Sequence, residues 1–170
     1  MQIPVKQISG LISTDGAGID TFRLDSANTY ATLYTGAAPG TGWAQRLYNY
    51  APTRITEMVT FCAQFGGAGN YQLGIYNAAG ALIASTASTP VASTGMKVAA
   101  LTAPITLPKG ECWLAIWSNS NGSQFPQQNG RVGFGLPNGI ELNNVAALPA
   151  NLAAFLGNVR ALRYWVGGSP

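Results

Sequence analysis

The segment Pro104–Trp117, P-I-T-L-P-K-G-E-C-W-L-A-I-W, is the feature that most constrains how this chain folds. A Pro-Lys-Gly turn divides it, because proline fixes φ and glycine accepts conformations that strain other residues. The residues after the turn alternate, with Cys112, Leu114 and Ile116 on one face and Trp113, Ala115 and Trp117 on the other. Since both faces are apolar, we expect a central strand with protein on each side. One face should fill a sandwich, and the face with Trp113 and Trp117 should form a second core layer or a subunit interface.

Composition indicates one globular domain with an unusual surface. The chain has 170 residues, of which 47% are hydrophobic and only 9% are charged. This balance argues against disorder, which combines low hydrophobicity with high charge. The polar surface must come from Ser, Thr, Asn and Gln. Such a surface is typical of β-rich extracellular proteins and of protomers that bury much of themselves in an assembly.

Short alternating runs separated by turn residues predict an all-β fold, an antiparallel β-sandwich of the jelly-roll type. The predicted strands are Thr29–Thr35, Trp43–Tyr50, Arg54–Phe65, Tyr71–Asn77, Ala81–Thr86, Met96–Thr106, Cys112–Trp117, Arg131–Leu136 and Arg160–Val166. At most one short helix is expected, near residues 150–156, because Pro149 is tolerated only in a first turn. Glu57 falls on the apolar face of its strand, which indicates a bulge or a sheet edge.

Two domain-level segments follow from this pattern: an extended arm over residues 1–28 and one sandwich domain over residues 29–170. The apolar residues of the arm make it a candidate anchor to a neighbouring protein; they are Ile3, Val5, Ile8, Leu11 and Ile12. Asp15, Asp20 and Asp25 recur at a regular spacing, but no calcium-loop pattern matches them, so we expect solvated carboxylates and no metal site.

The residue inventory argues against catalysis. There is no histidine, which excludes Ser-His-Asp triads and His-ligated zinc, and no phosphate-binding or dinucleotide motif is present. Glu57 and Glu111 could in principle form a glycosidase pair, but turn and edge charges are the simpler interpretation. Cys62 and Cys112 are expected to be buried free thiols rather than a disulfide. We therefore predict a protein that is not an enzyme and uses no cofactor.

Aromatic and amide side chains are the better functional lead. Tyrosine and tryptophan residues crowd both ends of the chain, and such rings stack on sugars in carbohydrate-binding proteins; the alternative is core and subunit interface. The aromatic residues concerned are Tyr30, Tyr34, Trp43, Tyr48, Tyr50, Trp113, Trp117, Tyr164 and Trp165. The polar segment Ser118–Gly130 is predicted to be a loop, the part of a sandwich that usually carries recognition. Its candidate receptor or glycan contacts are Asn119, Asn121, Gln124, Phe125, Gln127 and Gln128.

Three ordered phrases resemble a jelly-roll module of tailed-phage virion proteins, a group that includes tail fibre, head fibre, decoration and minor structural proteins. They are L-G-I-Y-N-A-A-G-A-L (Leu73–Leu82), S-T-G-M-K-V (Ser93–Val98) and L-P-K-G-E-C-W-L-A (Leu107–Ala115). An upstream phrase at Gln45–Pro52 is similar as well, so the resemblance covers residues 43–117. The matching residues belong to turns and core strands. The resemblance therefore implies a fold and a virion context, but no active site.

The expected function is that of a structural virion component, assembled through the arm and aromatic surfaces; the alternative is a receptor- or glycan-binding module for host adsorption. Expected partners are further copies of the chain, with a homotrimer favoured, other virion proteins of the capsid or tail, and a host glycan. The basic residues are scattered and form no continuous stripe that would bind nucleic acid. No apolar run is long enough for a membrane span. Without a signal-peptide pattern, we expect synthesis in the host cytoplasm and a final location in the virion.

Overall fold

A computed structural model describes residues 29–32, 40–129, 139–160, 162–164 and 166–169 of the chain. The predicted arm and the predicted strand Arg131–Leu136 lie outside the described residues. The strands are β1 Thr29–Thr32, β2 Thr41–Asn49, β3 Thr53–Cys62, β4 Asn70–Asn77, β5 Leu82–Ser85, β6 Thr89–Pro90, β7 Gly95–Leu107, β8 Gly110–Ser118, β9 Gln124–Asn129, β10 Gly139–Asn143, β11 Val159–Arg160, β12 Leu162–Tyr164 and β13 Gly167–Ser169. A single 3-10 turn, Ala153–Phe155, is the helical element of the described chain, within the predicted range.

The strands form an antiparallel β-sandwich, as the alternation predicted. The larger sheet has seven strands in the order β11-β10-β2-β8-β4-β5, with β6 pairing with β4 beside this path. Two three-stranded sheets, β13-β3-β7 and β1-β9-β12, form the other side, and an isolated bridge between Gln64 and Gln124 connects them. Each pairing between these strands is antiparallel.

The strand after the Pro-Lys-Gly turn is central, as expected from its two apolar faces. Strand β8 lies between β2 and β4, and its register pairs Ala115 with Ala44 on one side and Gly74 on the other. The turn that leads into β8 contains Gly110 at φ 136°, a conformation that favours glycine. The side chain of Asn49 holds this turn, donating hydrogen bonds to the carbonyls of Leu107 at 3.1 Å and Pro108 at 2.8 Å.

The inner face of the seven-stranded sheet packs on β3, β7 and β9. This first core cluster contains Leu73 and Ile116 of the larger sheet and Met58 and Phe125 of the facing strands, each with no exposed surface. Burying side chains of this size stabilises the fold by about 1.5–3 kcal/mol each. These side chains therefore join the two layers of the sandwich.

The outer face of the same sheet is covered by the chain's own segment 145–156. Trp113 and Trp117 are 7% and 3% exposed and belong to a second core cluster with Leu148 and Leu152. The indole of Trp117 donates to the carbonyl of Val145 at 2.7 Å. Trp113 and Trp117 therefore form a second core layer, one of the two predicted alternatives. The predicted interface role of these residues is wrong, because this chain itself covers both rings.

The pairing of β3 with β7 is irregular next to Glu57, where the sequence predicted a bulge or an edge. Its register with β7 shifts between Ile55, which pairs with Ile105, and Glu57, which pairs with Ala100. Residues 101–104 of β7 therefore bulge out of this ladder, and Leu101 instead bridges Thr86 at the end of β5. Strand β3 is the middle strand of its sheet, so Glu57 does not lie on an edge strand. Of the two predicted irregularities, the bulge is the one that occurs beside Glu57.

The prediction of one long loop over Ser118–Gly130 is wrong for its second half. Gln124–Asn129 form β9, the middle strand of the sheet β1-β9-β12. The sequence Q-F-P-Q-Q-N does not predict a strand, because it has a single large apolar residue and contains a proline. Both features argue against a central strand. Among the described residues, no helix is long and apolar enough to cross a membrane.

Candidate functional site

The remaining loop, Asn119–Ser123, packs against Gly66–Asn70, and we call these two segments together with Ser118 the serine–glycine junction. Its polar groups bond to each other. The Oγ atoms of Ser120 and Ser123 lie 2.6 Å apart, and Ser120 Oγ also donates to the Gly67 carbonyl at 3.0 Å. The side-chain oxygen of Asn119 accepts from the backbone N–H of Asn70 at 2.7 Å. The predicted contact residue Asn119 is therefore committed to holding two loops together.

Glycine permits the close approach of the two loops at this junction. A Cβ atom on Gly66 would lie 2.1 Å from the carbonyl carbon of Gly122, and one on Gly69 would lie 2.3 Å from Cα of Ser120. Both contacts are far shorter than van der Waals distance, and both involve backbone. The polar composition of this region thus specifies a loop-to-loop contact.

The other predicted contacts in Ser118–Gly130 differ in exposure where their side chains are described. Phe125 is fully buried in the first core cluster, so its ring cannot contact a receptor, and naming it as a contact was wrong. Strand alternation is the reason, because Phe125 points inward from β9. Asn121 is exposed and Gln124 is partly exposed. The side chains of Gln127 and Gln128 lie outside the described part of the chain.

A different surface combines exposed aromatic rings with a charged pair: Arg46, Tyr48, Tyr50, Glu111 and Trp113, which we call the aromatic patch. Arg46 pairs with Trp113 and Tyr48 pairs with Glu111 in the β2–β8 register, so these four side chains share the outer face of the sheet. Tyr48 and Tyr50 are 37% and 47% exposed. Their ring centroids lie 5.0 Å apart, with the ring planes tilted by 59°.

Arg46 connects the buried and exposed parts of the aromatic patch. Its guanidinium carbon lies 5.8 Å from the centre of the Trp113 ring, in a cation–π arrangement, and its Nη2 donates to a carboxylate oxygen of Glu111. The side chains of Arg46 and Glu111 are 41% and 44% exposed, so solvent and ligands reach both. The pair presents donors and acceptors side by side at the edge of the tyrosine rings.

Two buried donors of the aromatic patch have no hydrogen-bond partner. They are Nε of Arg46 and Nε1 of Trp113, and within the described residues they are the two buried side-chain nitrogen or oxygen atoms in this condition. An unpaired buried donor costs about 1–3 kcal/mol, and such atoms call for an explanation in a folded protein. Both atoms belong to the cross-strand pair Arg46 and Trp113, and the exposed rings and the ion pair beside them make the aromatic patch the candidate site.

The thiol groups are not arranged as nucleophiles. Cys62 and Cys112 are free and buried, as predicted. Burial, and to a smaller extent the charge of Glu111, raises the pKa of Cys112 to about 12. Burial also raises the pKa of Cys62, against the lowering effects of Lys97 and of a hydrogen bond to the Gln64 carbonyl. A reactive cysteine needs a lowered pKa. No cluster of three or more His, Cys, Asp or Glu that could hold a metal occurs among the residues described.

The predicted aromatic and acidic candidates separate into several environments. Trp43, Trp113 and Trp117 are buried, whereas Tyr48 and Tyr50 are exposed. Tyr34 and Trp165, and the side chains of Tyr30 and Tyr164, lie outside the described part of the chain. Glu57 is on β3 and Glu111 is on β8, in different sheets, and Glu111 is paired with Arg46. The role of Arg46 was not predicted, although R-L-Y-N-Y alternates with Arg46, Tyr48 and Tyr50 on one face.

The sandwich and its covered outer face define the class of protein as an all-β module, and comparisons with known proteins bear on fold alone. No protein-family model matches the sequence, and no curated protein does. The chain is similar to the clostridial cysteine protease Cwp84 after propeptide cleavage, with a TM-score of 0.51, 14% identity, 85% of this chain covered and 40% of that one. It is equally similar, at a TM-score of 0.51 and 14% identity over 85% of this chain and 36% of that one, to the cysteine protease and lectin-like domains of Cwp84, a surface layer associated protein of Clostridium difficile. The chain thus spans less than half of either structure.

Proposed function

We propose that this protein is a non-enzymatic module of a bacteriophage virion that binds a carbohydrate on the host surface through the aromatic patch. The observation that carries the proposal is the pair of exposed tyrosine rings, Tyr48 and Tyr50, beside the Arg46–Glu111 ion pair. Tyrosine offers an apolar ring for the C–H face of a sugar together with a hydroxyl that can bond to water or ligand. The neighbouring ion pair supplies the donors and acceptors that sugar hydroxyl groups need.

The fold gives this proposal independent support. Jelly-roll sandwiches are found both in viral capsids and in lectins. The second similar structure comprises cysteine protease and lectin-like domains, and this chain covers 36% of it. The virion context comes from the sequence phrases at Leu73–Leu82, Ser93–Val98 and Leu107–Ala115, which coincide with β4 and its hairpin, the start of β7, and the turn into β8.

Glycan-array binding and adsorption to host cells test the proposal. We expect the wild-type protein to bind a defined set of glycans and Tyr48→Ala and Tyr50→Ala each to weaken binding about tenfold, which corresponds to about 1.4 kcal/mol. Phe65→Ala is the matched control, since Phe65 is 43% exposed but lies outside the patch. Equal loss in the control, or no glycan signal at high protein concentration, would contradict carbohydrate binding.

A purely structural role is the second candidate, and the low charge content of the chain favours it. In this role the apolar arm anchors the protein to the capsid, the tail or another copy of the chain, with a trimer as the favoured assembly. Deleting residues 1–25 should then leave the sandwich folded but prevent incorporation into particles. Western blotting of purified particles provides the measurement, and incorporation at the wild-type level would rule out the arm as the anchor.

A further inference from the structure

The ion pair of the aromatic patch narrows the class of ligand. The positive charge of Arg46 is balanced by Glu111, which accepts its hydrogen bond directly. An acidic sugar that bonded to the other N–H groups of Arg46 would bring its own carboxylate close to that of Glu111. Like charges at an interface oppose binding, whereas a neutral ligand meets no such penalty.

The same pair suits hydroxyl groups well. A hydroxyl is both a donor and an acceptor, a guanidinium only donates, and an ionised carboxylate only accepts. Two neighbouring sugar hydroxyls can therefore bond to Arg46 and Glu111 together without breaking the ion pair. Since both side chains are more than two fifths exposed, a sugar lying on Tyr48 and Tyr50 can reach them.

Two donors of the aromatic patch have no acceptor within the described protein. Trp113 is 7% exposed, and its indole N–H lacks an acceptor, as does the Nε–H of the Arg46 side chain that lies over it. A ligand hydroxyl oxygen is an acceptor of the kind that such donors require.

We propose that the aromatic patch selects an uncharged pyranose with two adjacent free hydroxyl groups, stacked on Tyr48 and Tyr50 and bonded to the Arg46–Glu111 pair. This inference rests on the carbohydrate-binding function proposed above. Glu111 acts as the selectivity residue, because its negative charge opposes the approach of a sugar carboxylate to Arg46.

Matched neutral and acidic ligands test the selection. Calorimetric titration of the full-length protein with oligomers of glucose and of glucuronic acid, and of galactose and of galacturonic acid, compares sugars that differ only by the carboxylate. We expect at least one neutral oligomer to bind about tenfold or more tightly than its acidic counterpart. Glu111→Gln should abolish this preference, because the charge that opposes the sugar carboxylate is removed while Arg46 keeps its own. Glu57→Gln, on the other sheet, is the isosteric control and should leave the preference unchanged.

The outcomes separate the two proposals. Binding that depends on Tyr48 and Tyr50 but favours the acidic oligomers, or a preference that Glu111→Gln leaves intact, overturns the selection of neutral sugars while carbohydrate binding stands. If no sugar of either kind binds, and none binds on the glycan array, both proposals fail. Urea unfolding of each variant verifies that altered binding does not arise from loss of the fold.

Discussion

The serine–glycine junction and the aromatic patch are both rich in polar groups, yet they use them in opposite ways. At the junction, the hydroxyls of Ser120 and Ser123 bond to each other and to the facing loop. At the patch, two tyrosine rings face solvent, and Arg46 retains an unpaired buried donor. The difference shows that polar composition alone does not define a binding surface. What distinguishes the patch is that its tyrosine rings and its ion pair are exposed to a ligand.

The largest effect expected from this comparison is on stability at the junction. Gly69→Ala should lower the free energy of unfolding by about 3 kcal/mol, because the new Cβ would overlap the backbone of a packed loop. That Cβ would lie 2.3 Å from Cα of Ser120, and Gly69 has φ 150°, which strains a residue with a side chain. Urea unfolding followed by tryptophan fluorescence measures the change.

Gly157→Ala is the matched control for this substitution. Nothing lies within 4 Å of a Cβ at Gly157, so its unfolding midpoint should stay close to that of the wild-type protein. Sugar binding should be retained by the folded fraction of Gly69→Ala. If Gly69→Ala were as stable as Gly157→Ala, the junction would not be the rigid contact that we describe.

The second effect contrasts the two faces of β8, where the exposed Glu111 is followed by the buried Cys112. The pKa of Cys112 is raised from 9.0 to about 12, so the folded state holds this proton more tightly than the unfolded state does. The stabilisation is complete below pH 9 and is lost as the pH rises through 12. The loss at pH 10.5 should be on the order of 2 kcal/mol.

Urea unfolding between pH 8 and pH 11 measures this dependence. Burial also raises the pKa values of Cys62, Tyr71 and Tyr76, so the wild-type protein will lose stability from several groups together. Cys112→Ala isolates one of them, and its stability should fall less steeply with pH than that of the wild-type protein. Equal slopes would mean that Cys112 is not the buried thiol described above.

The sequence was sufficient to predict the fold class and the central strand, because both depend on strong local signals. The alternation after Gly110 identified β8, and the misplaced charge of Glu57 identified a bulge. By contrast, β9 was not predicted, because Pro126 and several glutamines have low strand propensity. Pairing with distant strands stabilises β9 instead. Local propensity is a weak guide where long-range pairing decides.

The site was less predictable than the fold for a related reason. A polar segment such as Ser118–Ser123 looks like a binding loop until its hydrogen-bond partners in Gly66–Asn70 are known. The aromatic patch depends on the β2–β8 register, which brings Arg46 over Trp113 from a distant part of the chain. Tyr48 and Tyr50 were among the aromatic candidates, but the sequence could not separate them from the buried tryptophans.

The third effect concerns single hydrogen bonds at the junction. Ser120→Ala should lower the free energy of unfolding by about 1.5 kcal/mol, because buried groups such as Ser123 Oγ lose a hydrogen-bond partner. The neighbouring Asn121 is exposed, so Asn121→Ala should change stability very little. Neither variant should alter sugar binding. A loss of binding in either would return the predicted loop to consideration as the recognition surface.

The smallest expected effect on stability belongs to the aromatic patch, and it provides the sharpest test of the comparison. Tyr50→Ala should change the free energy of unfolding by no more than about 0.5 kcal/mol, because Tyr50 is 47% exposed in the folded state. The same variant should lose about tenfold in sugar affinity. Variants of the junction would then change stability but not sugar affinity. Variants of the patch would change sugar affinity but not stability. If Tyr50→Ala instead destabilised the protein strongly and left sugar affinity unchanged, Tyr50 would be a packing residue, and the contrast between the two regions would fail at the residue on which it most depends.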